Sequence, residues 1–296
     1  MNAEAQRFIL NTKHRVVILP FSEGLRNLFP SAPDIEINGE RLIAVPHQPA
    51  ETYLLTHKFG ASVPAPILSQ YEFISPPDQV VFEAQKQTAA LLSMNSRAYV
   101  LNGLGTGKTR SALYAWDYLN KLKLAGKVLV LAPLSTLHFT WAREVFNVLP
   151  HRKCEILHGS KERREKKLAN PEADIFIINH DGLRVILTDL MDRPDIDTII
   201  IDELAAYRNF KAKRTKELKL YAKNKRFVWG MTGAPCPNAP TDVWGQCSIV
   251  TPHTVPSYFK HFQEQLMLRV RQFKWVAKDD ALPRAFAAMQ LSLIHI

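Results

Sequence analysis

The sequence predicts an α/β fold in which helices cover both faces of a parallel sheet, preceded by a small α+β accessory module. Two observations lead to this prediction. From about residue 78, short apolar runs alternate regularly with helical patterns. These runs are apolar without a break, as expected of strands that are buried on both faces. We therefore assign the accessory module to residues 1–77 and the sheet-bearing lobe to residues 78–256.

The accessory module contains short β-like runs separated by prolines and turn signals. Such runs start at Arg15 and Arg41, and Asn38-Gly39 lies between apolar segments, which is typical of a tight hairpin. No motif in this part of the sequence indicates a chemistry.

The elements of the lobe follow from the spacing of apolar residues. The first helix has them at helical spacing, and each strand is a short apolar run. The predicted helices cover residues 78–94, 108–123, 135–147, 160–169, 182–190 and 212–222. The predicted strands cover residues 98–101, 127–132, 153–157, 174–178, 197–202 and 226–231. Beyond Pro252 the pattern favours a helical extension, from Ser257 to about Lys274, within residues 257–296.

A glycine-rich loop directly follows the first predicted strand. Residues 102–109 read Asn-Gly-Leu-Gly-Thr-Gly-Lys-Thr, and a helical pattern starts at Lys108. The glycines allow positive φ and bring backbone N–H groups close to an anion, at the positive end of the helix. This context predicts a phosphate-binding loop, in which Lys108 reaches the β- and γ-phosphates and Thr109 holds Mg²⁺. The usual pattern starts with glycine, whereas this chain has Asn102.

A second feature narrows the chemistry. Residues 196–203 form an apolar run that ends in Asp202 and Glu203. Ligands of open α/β sheets collect at the carboxyl ends of the strands. We therefore expect Asp202 to hold Mg²⁺ through water, and Glu203 to orient or deprotonate the attacking water.

The composition excludes several classes of protein. No apolar stretch approaches the ~20 residues of a membrane span, and the N-terminal residues lack a signal pattern. The three cysteines are not spaced as metal ligands. We therefore expect a cytoplasmic protein with no membrane partner.

The formal net charge of +10 predicts affinity for a polyanion. The excess is concentrated in residues 208–226, which contain nine Lys or Arg and one acid, Glu217. This tract follows the acidic strand immediately, so we expect it near the nucleotide edge and in contact with phosphates of nucleic acid. A second basic cluster, residues 161–167, is diluted by Glu162 and Glu165, and a solvated helix face explains it better.

With these elements placed, the chain resembles the first RecA-like lobe of superfamily 2 helicases. It is most similar to the Swi/Snf-type double-stranded DNA translocases, in the compact form of phage-encoded members. The resemblance covers residues 78–275 and implies a P-loop hydrolase of ATP that uses Mg²⁺. Gln85, 23 residues before Lys108, sits where the family has its adenine-reading glutamine. The implied nucleotide-binding residues are Gln85, Gly103, Gly105, Thr106, Gly107, Lys108 and Thr109.

The other motifs follow in the family's order. Met231 to Pro235 resembles the motif that couples hydrolysis to movement, which assigns coupling to Thr232 and Gly233. Two positions depart from the family, because Ala205 replaces a usual His or Gln and Ala234 replaces a hydroxyl residue. Asn179-His180 sits where the family has a polar strand end near the nucleic-acid backbone. The nucleic-acid contacts implied by the resemblance are Ser135, Thr136, Lys211, Lys213, Arg214 and Lys216.

The resemblance also implies a second RecA-like lobe, in cis or in trans, whose arginines complete the nucleotide site. An arginine finger is worth roughly 10³–10⁵ in rate in related P-loop systems, so hydrolysis by this chain alone should be weak. Because the last six residues end an amphipathic segment abruptly, we expect a truncated or mis-terminated reading frame near Gln290.

The leading hypothesis is therefore the ATP-binding lobe of an ATP-dependent DNA translocase or helicase, with double-stranded DNA as its partner. One alternative is a nucleic-acid binding module that holds ATP without turnover. Another is an RNA-directed helicase. A small-molecule P-loop kinase fits less well, because the Asp202-Glu203 pair and the basic tract have no role there.

Overall fold

The computed structural model describes residues 7–103, 105–271 and 274–289. The chain divides into two compact units, residues 1–72 and 73–296. In the part of the chain that the structure describes, no helix is both long enough and apolar enough to cross a membrane.

Among its described residues, the first unit contains an antiparallel sheet and three helices. Its elements in chain order are β1 (Ile9–Asn11), β2 (Val16–Pro20), α1 (Glu23–Leu28), β3 (Asp34–Ile37), β4 (Glu40–Pro46), α2 (Pro49–Phe59) and α3 (Ile67–Gln70). The strand order is β1-β2-β4-β3. Asn38 and Gly39 join β3 to β4 with φ of +53° and +80°, so the predicted Asn-Gly hairpin is confirmed.

The second unit contains a six-stranded sheet, a two-stranded hairpin and nine α-helices among its described residues. Its elements in chain order are α4 (Glu83–Met94), β5 (Arg97–Val100), α5 (Lys108–Lys121), β6 (Lys127–Ala132), α6 (Arg143–Val148), β7 (Cys154–Ile156), α7 (Lys161–Leu168), β8 (Ile175–Asn179), α8 (Leu187–Met191), β9 (Ile196–Ile201), α9 (Lys213–Ala222), β10 (Phe227–Met231), α10 (Val243–Val250), α11 (Phe259–Leu266), β11 (Met267–Arg271), β12 (Lys274–Ala277) and α12 (Ala281–Met289).

The large sheet confirms the predicted fold class. Its six strands are all parallel, in the order β5-β10-β9-β6-β8-β7. Strands β6, β9 and β10 are almost completely buried, which explains their continuous apolar sequences. Because β5, β10 and β9 are neighbours, the loops after these three strands meet at one edge of the sheet.

Several helices differ from the sequence prediction. The helix predicted from residue 78 begins only at Glu83, where the Gln85 side chain accepts a hydrogen bond from the N–H of Phe82. The helix predicted over 135–147 is divided into a 3₁₀ turn, a π-helical stretch over Leu137–Ala142 and α6. The helix predicted over 182–190 is similarly divided into a 3₁₀ segment and α8.

The predicted helical extension from Ser257 to Lys274 is wrong beyond Leu266. Met267 begins an antiparallel hairpin of β11 and β12. The Lys278 Nζ donates to the carbonyls of Glu264 (2.7 Å) and Gln265 (2.9 Å), which terminates α11. Beyond this point leucine and valine alternate with arginine, a two-residue period that suits a strand. The suspected frame end near Gln290 lies outside the described residues.

Candidate functional site

A cavity of about 730 Å³ lies at the carboxyl edge of the large sheet. Its walls come from the glycine-rich loop, the start of α5, the end of β9 and the helical segments before and within α6. The lining residues are Asp78, Gln79, Val80, Phe82, Gln85, Gly105, Thr106, Gly107, Lys108, Thr109, Arg110, Thr136, Thr140, Glu144, Asp202 and Glu203. Residues that lie far apart in the sequence, such as Lys108 and Asp202, therefore border one space.

The glycine-rich loop adopts the backbone that its sequence requires. Gly105 and Gly107 have φ of +75° and +77°, and α5 begins directly after Gly107. The Lys108 Nζ donates to the carbonyls of Asn102 (2.9 Å) and Gly103 (2.7 Å). Burial lowers the pKa of Lys108, and the negative charges of Asp202 and Glu203 oppose this effect. The lysine is thus a cation held at the mouth of the loop.

Thr106 and Thr109 complete the loop in different ways. The Thr106 Oγ1 donates to the Gly103 carbonyl at 3.0 Å, which closes the loop on itself. Thr109, in the first turn of α5, lines the cavity together with Asp202. A hydroxyl and a carboxylate that share one cavity provide hard oxygen donors, which suit Mg²⁺.

Gln85 is packed directly on the loop. Its side chain is 6% exposed, and its Oε1 accepts from the Phe82 N–H at 3.0 Å. A Cβ atom at Gly107 would lie 1.9 Å from the Gln85 Nε2, and the φ of +77° would strain any residue that has a side chain, so this position favours glycine. The Gln85 amide and the glycine-rich loop are therefore in direct contact.

The two carboxylates lie where β9 ends. The Asp202 Oδ2 accepts from the Trp141 Nε1 at 2.9 Å, and Oδ1 accepts from the Glu203 N–H at 3.1 Å. Burial raises the pKa of Asp202, which these two hydrogen bonds and Lys108 partly offset. Burial and the adjacent Asp202 also raise the pKa of Glu203. Perturbed carboxylates in a cleft are typical of functional sites.

Glu203 has a strained backbone. Its φ of +50° and ψ of +53° lie in the left-handed region, which a non-glycine residue adopts at an energetic cost. This conformation begins the 3₁₀ segment Leu204–Tyr207 and sets the direction of the Glu203 side chain at the cavity wall.

Thr232 and Gly233 lie against the glycine-rich loop. Thr232 is fully buried, its N–H donates to the Val100 carbonyl at 3.1 Å, and its Oγ1 accepts from the Ala234 N–H at 3.3 Å. A Cβ atom at Gly233 would lie 3.6 Å from the Asn102 carbonyl oxygen. The segment after β10 is therefore packed on the backbone of the loop after β5.

Sequence reasoning missed one wall of the cavity. Arg110 is buried, forms an ion pair with Glu144, and donates to the Gln79 Oε1 at 2.6 Å. Thr136, Thr140 and Glu144 also line the cavity. Their four-residue spacing along the helix predicted over 135–147 is a signal that could have revealed this wall.

The predicted nucleic-acid residues lie outside the cavity, except Thr136. Ser135 is exposed beside Thr136. On α9, Lys213 and Lys216 are exposed, whereas Thr215, Leu218 and Tyr221 form the buried face. Lys211 is exposed. The Lys213 Nζ lies 3.8 Å from the Glu217 carboxylate, and the Arg214 guanidinium lies 3.9 Å from the Asp181 carboxylate. The tract thus presents a row of cations to solvent.

His180, which the sequence placed at a polar strand end, is enclosed by protein. Its Nδ1 lies 3.0 Å from the Tyr207 hydroxyl. Burial lowers the pKa of His180 to about 4, and Arg214 adds to this effect, so the imidazole is neutral at pH 7. His180 and Tyr207 therefore connect the ends of β8 and β9 close to the basic tract.

In the second basic cluster, Arg164 is a structural residue. It is 7% exposed, and its Nε donates to the Gly159 carbonyl at 3.0 Å. Its Nη1 donates to the Leu157 carbonyl. The flanking Lys161 is exposed and lies 3.3 Å from Glu165, as expected of a solvated helix face.

Comparisons with known proteins agree with this architecture. A family model described as SNF2-related domain matches residues 87–287. The putative protein p41 of Acyrthosiphon pisum secondary endosymbiont phage 1 is 35% identical over 165 residues, 52% of this chain and 35% of that protein. The ATP-dependent DNA helicase DDM1 of Arabidopsis thaliana is 27% identical over 170 residues, 53% of this chain and 22% of that protein.

A solved structure shows the same fold. It is titled the Sulfolobus solfataricus SWI2/SNF2 ATPase core in complex with dsDNA, and it aligns with a TM-score of 0.58 at 20% identity. The alignment covers 76% of this chain and 46% of that one. The chain thus spans at most about a third of the curated relatives named above. The match over residues 87–287, more than half of the chain, shows together with the RecA-like sheet that this chain belongs to the SNF2-related domain family.

Proposed function

We propose that this chain is the ATP-binding lobe of an ATP-dependent DNA translocase or helicase. The observation that carries the proposal is the convergence of Lys108, Thr109, Asp202 and Glu203 on one cavity at the carboxyl edge of a parallel sheet. A cation, a hydroxyl and two carboxylates in this arrangement are the parts that P-loop hydrolases use for phosphoryl transfer.

The side chains of the cavity fit a nucleoside triphosphate with Mg²⁺. The backbone of Gly103 and of residues 105–109 would surround the phosphates, at the positive end of α5. The Gln85 Nε2 is a donor for the adenine edge, and its Oε1 has a second lone pair beside the one that caps α4. Thr109 and Asp202 would hold the Mg²⁺.

When bound, ATP with Mg²⁺ supplies the phosphoanhydride bond and part of the charge neutralisation. The chain supplies the remaining groups. Lys108 would stabilise negative charge on the phosphates, and Glu203 would orient or deprotonate the attacking water. The raised pKa of Glu203 suits a base that works near neutral pH.

Coupling between hydrolysis and movement would pass through Thr232 and Gly233. This proposed role is supported by the contact between the segment after β10 and the loop after β5, where Gly233 approaches the Asn102 carbonyl. A displacement of the loop on hydrolysis would therefore also displace the segment that contains Gly233.

Nucleic acid would bind through Lys211, Lys213, Arg214 and Lys216, and through the turn that carries the exposed Ser135 and the partly buried Thr136. The lysines are supported by the exposure of Lys213 and Lys216 on α9 and of Lys211 just before it, and by the net charge of +10. Contacts of this type hold the phosphate backbone and carry no sequence information. We assign double-stranded DNA because the solved SWI2/SNF2 core is titled as a complex with dsDNA.

We further propose that a second RecA-like lobe, in cis or in trans, completes the nucleotide site with arginines. This chain alone would then hydrolyse ATP slowly, since an arginine finger contributes roughly 10³–10⁵ in rate.

The proposal predicts that duplex DNA stimulates phosphate release. The measurement is release of inorganic phosphate from ATP by the intact chain, with and without duplex DNA at fixed salt. Slow release that rises with DNA supports the motor, whereas release that is absent even with DNA favours a module that only binds ATP.

Duplex RNA at matched ionic strength is the control, because it shares the electrostatic attraction but has a different groove geometry. Stronger stimulation by RNA would favour an RNA-directed helicase.

A further inference from the structure

The hairpin of β11 and β12 carries cations and apolar side chains on its exposed surface. Leu268 and Val276 are 55% and 46% exposed and lie opposite each other in the ladder. Arg271 and Lys274, also exposed, form the next opposed pair on that face. Residues 265–278 contain four Lys or Arg and no acid. The hairpin is thus locally cationic.

A β-bulge creates this arrangement. The pairing shifts between Arg269 and Arg271, so that Arg271 rather than Val270 lies opposite Lys274. A regular strand would put Leu268 and Arg271 on opposite faces, because side chains alternate. The extra residue brings Arg271 to the face that carries Leu268.

Two like charges directly opposite each other destabilise a strand pair. Across the described residues, no carboxylate lies within ion-pair distance of Arg271 or Lys274. A bound polyanion would relieve this repulsion by neutralising both cations at once. The positive charges of Arg271 and Lys274 therefore indicate that this face accepts a polyanion.

The hairpin is connected to the part of the basic tract that precedes α9. The Phe210 and Phe259 rings stack with centroids 4.5 Å apart, which joins the segment preceding α9 to the start of α11. Lys211, adjacent to Phe210, has its Nζ 5.8 Å from the Phe210 ring centroid. Helix α11 is about 12 Å long at 1.5 Å per residue. The five residues of β11 add about 17 Å.

The path from Lys211 to Arg271 is therefore at most about 39 Å, a little more than one turn of duplex DNA, which is roughly 34–36 Å. Duplex DNA carries one phosphate charge per about 1.7 Å of its axis. One duplex is long enough to contact both groups of cations.

We propose that the β11–β12 hairpin is a second nucleic-acid contact of this chain, which binds the phosphate backbone through Arg271 and Lys274. Leu268 and Val276 contact the apolar sugar edges beside those phosphates. This inference rests on the proposed function, because the partner is the same duplex that binds at α9. It adds a contact surface at the far end of α11.

The test is the salt dependence of duplex binding by the intact chain, followed by fluorescence anisotropy with a duplex of about three helical turns. The slope of log Kobs against log[salt] is negative, and each lost phosphate contact reduces its magnitude by about 1. Arg271→Ala/Lys274→Ala should therefore reduce the magnitude of the slope by about 2. Lys213→Ala/Lys216→Ala on α9 should give a similar loss.

Two matched variants serve as controls. Lys13→Ala/Lys58→Ala removes two exposed cations from the first unit and should leave the slope unchanged. Arg271→Lys/Lys274→Arg keeps the charges and should retain the slope, which separates charge from any effect on folding of the hairpin.

The outcomes are distinguishable. An unchanged slope for Arg271→Ala/Lys274→Ala, with a reduced slope for the α9 variant, overturns the hairpin contact and leaves the proposed function intact. No binding of duplex by the unaltered chain contradicts the proposed function itself. Loss of binding to anionic lipid vesicles in the hairpin variant, with duplex binding unchanged, would assign the face to a membrane surface and also overturn the proposal.

Discussion

Lys108→Ala is expected to weaken ATP binding about a hundredfold or more. The Lys108 ammonium lies at the mouth of the loop, held by two loop carbonyls and close to Asp202 and Glu203. Hydrogen bonds from charged groups contribute about 1.5–3 kcal/mol each, and every 1.4 kcal/mol is tenfold in affinity. Alanine removes the cation without filling the space. Calorimetric titration with ATP and Mg²⁺ measures the change.

Lys161→Ala is the matched control for this substitution. Lys161 is also the first residue of a helix, α7, but it is exposed and lies near Glu165 rather than a glycine-rich loop. Its substitution should leave ATP affinity within experimental error. Equal affinities of the unaltered chain and Lys108→Ala would refute the assignment of the phosphate site.

Glu203→Gln is expected to separate nucleotide binding from turnover. Glutamine keeps the size of the side chain but cannot accept a proton from water. General-base catalysis contributes about 10²–10⁴ in rate, so phosphate release should fall by that range while ATP affinity changes only a few-fold. Single-turnover hydrolysis with the chain in excess over ATP measures this directly. Glu83→Gln, at an exposed carboxylate on α4, is the control and should hydrolyse ATP like the unaltered chain.

The same base should determine the acid limb of the pH–rate profile. Burial and the charge of Asp202 raise the pKa of Glu203, and burial raises the pKa of Asp202 as well. The base acts only when ionised, so the rate should fall as pH decreases through values above the ordinary range of a glutamate. The apparent pKa belongs to the Asp202–Glu203 pair, because adjacent carboxylates titrate together. A rate that is independent of pH down to the ordinary glutamate range would contradict this role.

Local sequence was sufficient for the parallel sheet and the glycine-rich loop. The buried strands are continuous apolar runs, and Gly105 and Gly107 occupy positions with positive φ that the loop motif requires. In both cases the cause of the structure lies within a few neighbouring residues.

The rest depends on contacts between distant residues. Trp141 donates to Asp202, 61 positions away, and the π-helical stretch that carries Trp141 has no local sequence signature. The Arg110–Glu144 ion pair joins residues 34 positions apart. The sequence predicts a helix where β11 and β12 form a hairpin, because leucine, valine and arginine occur in helices as well as in strands.

The exposure of the cations in the two basic clusters also depends on the fold. Residues 161–167 and 208–226 look alike as charge runs, but Arg164 is buried and bonded to backbone carbonyls, whereas Lys213 and Lys216 are exposed. The sequence gives the charges, and only the fold decides which of them reach solvent.

A crystal structure of the chain with Mg²⁺ and a non-hydrolysable ATP analogue would test the nucleotide site directly. We expect the phosphates to lie within hydrogen-bonding distance of the backbone of Gly103 and of residues 105–109, and of the Lys108 Nζ. We also expect Mg²⁺ between Thr109 and Asp202, with the γ-phosphate facing Glu203. A nucleotide bound elsewhere on the chain, or bound in the cavity with its phosphates away from Lys108 and Asp202, would contradict the proposed site.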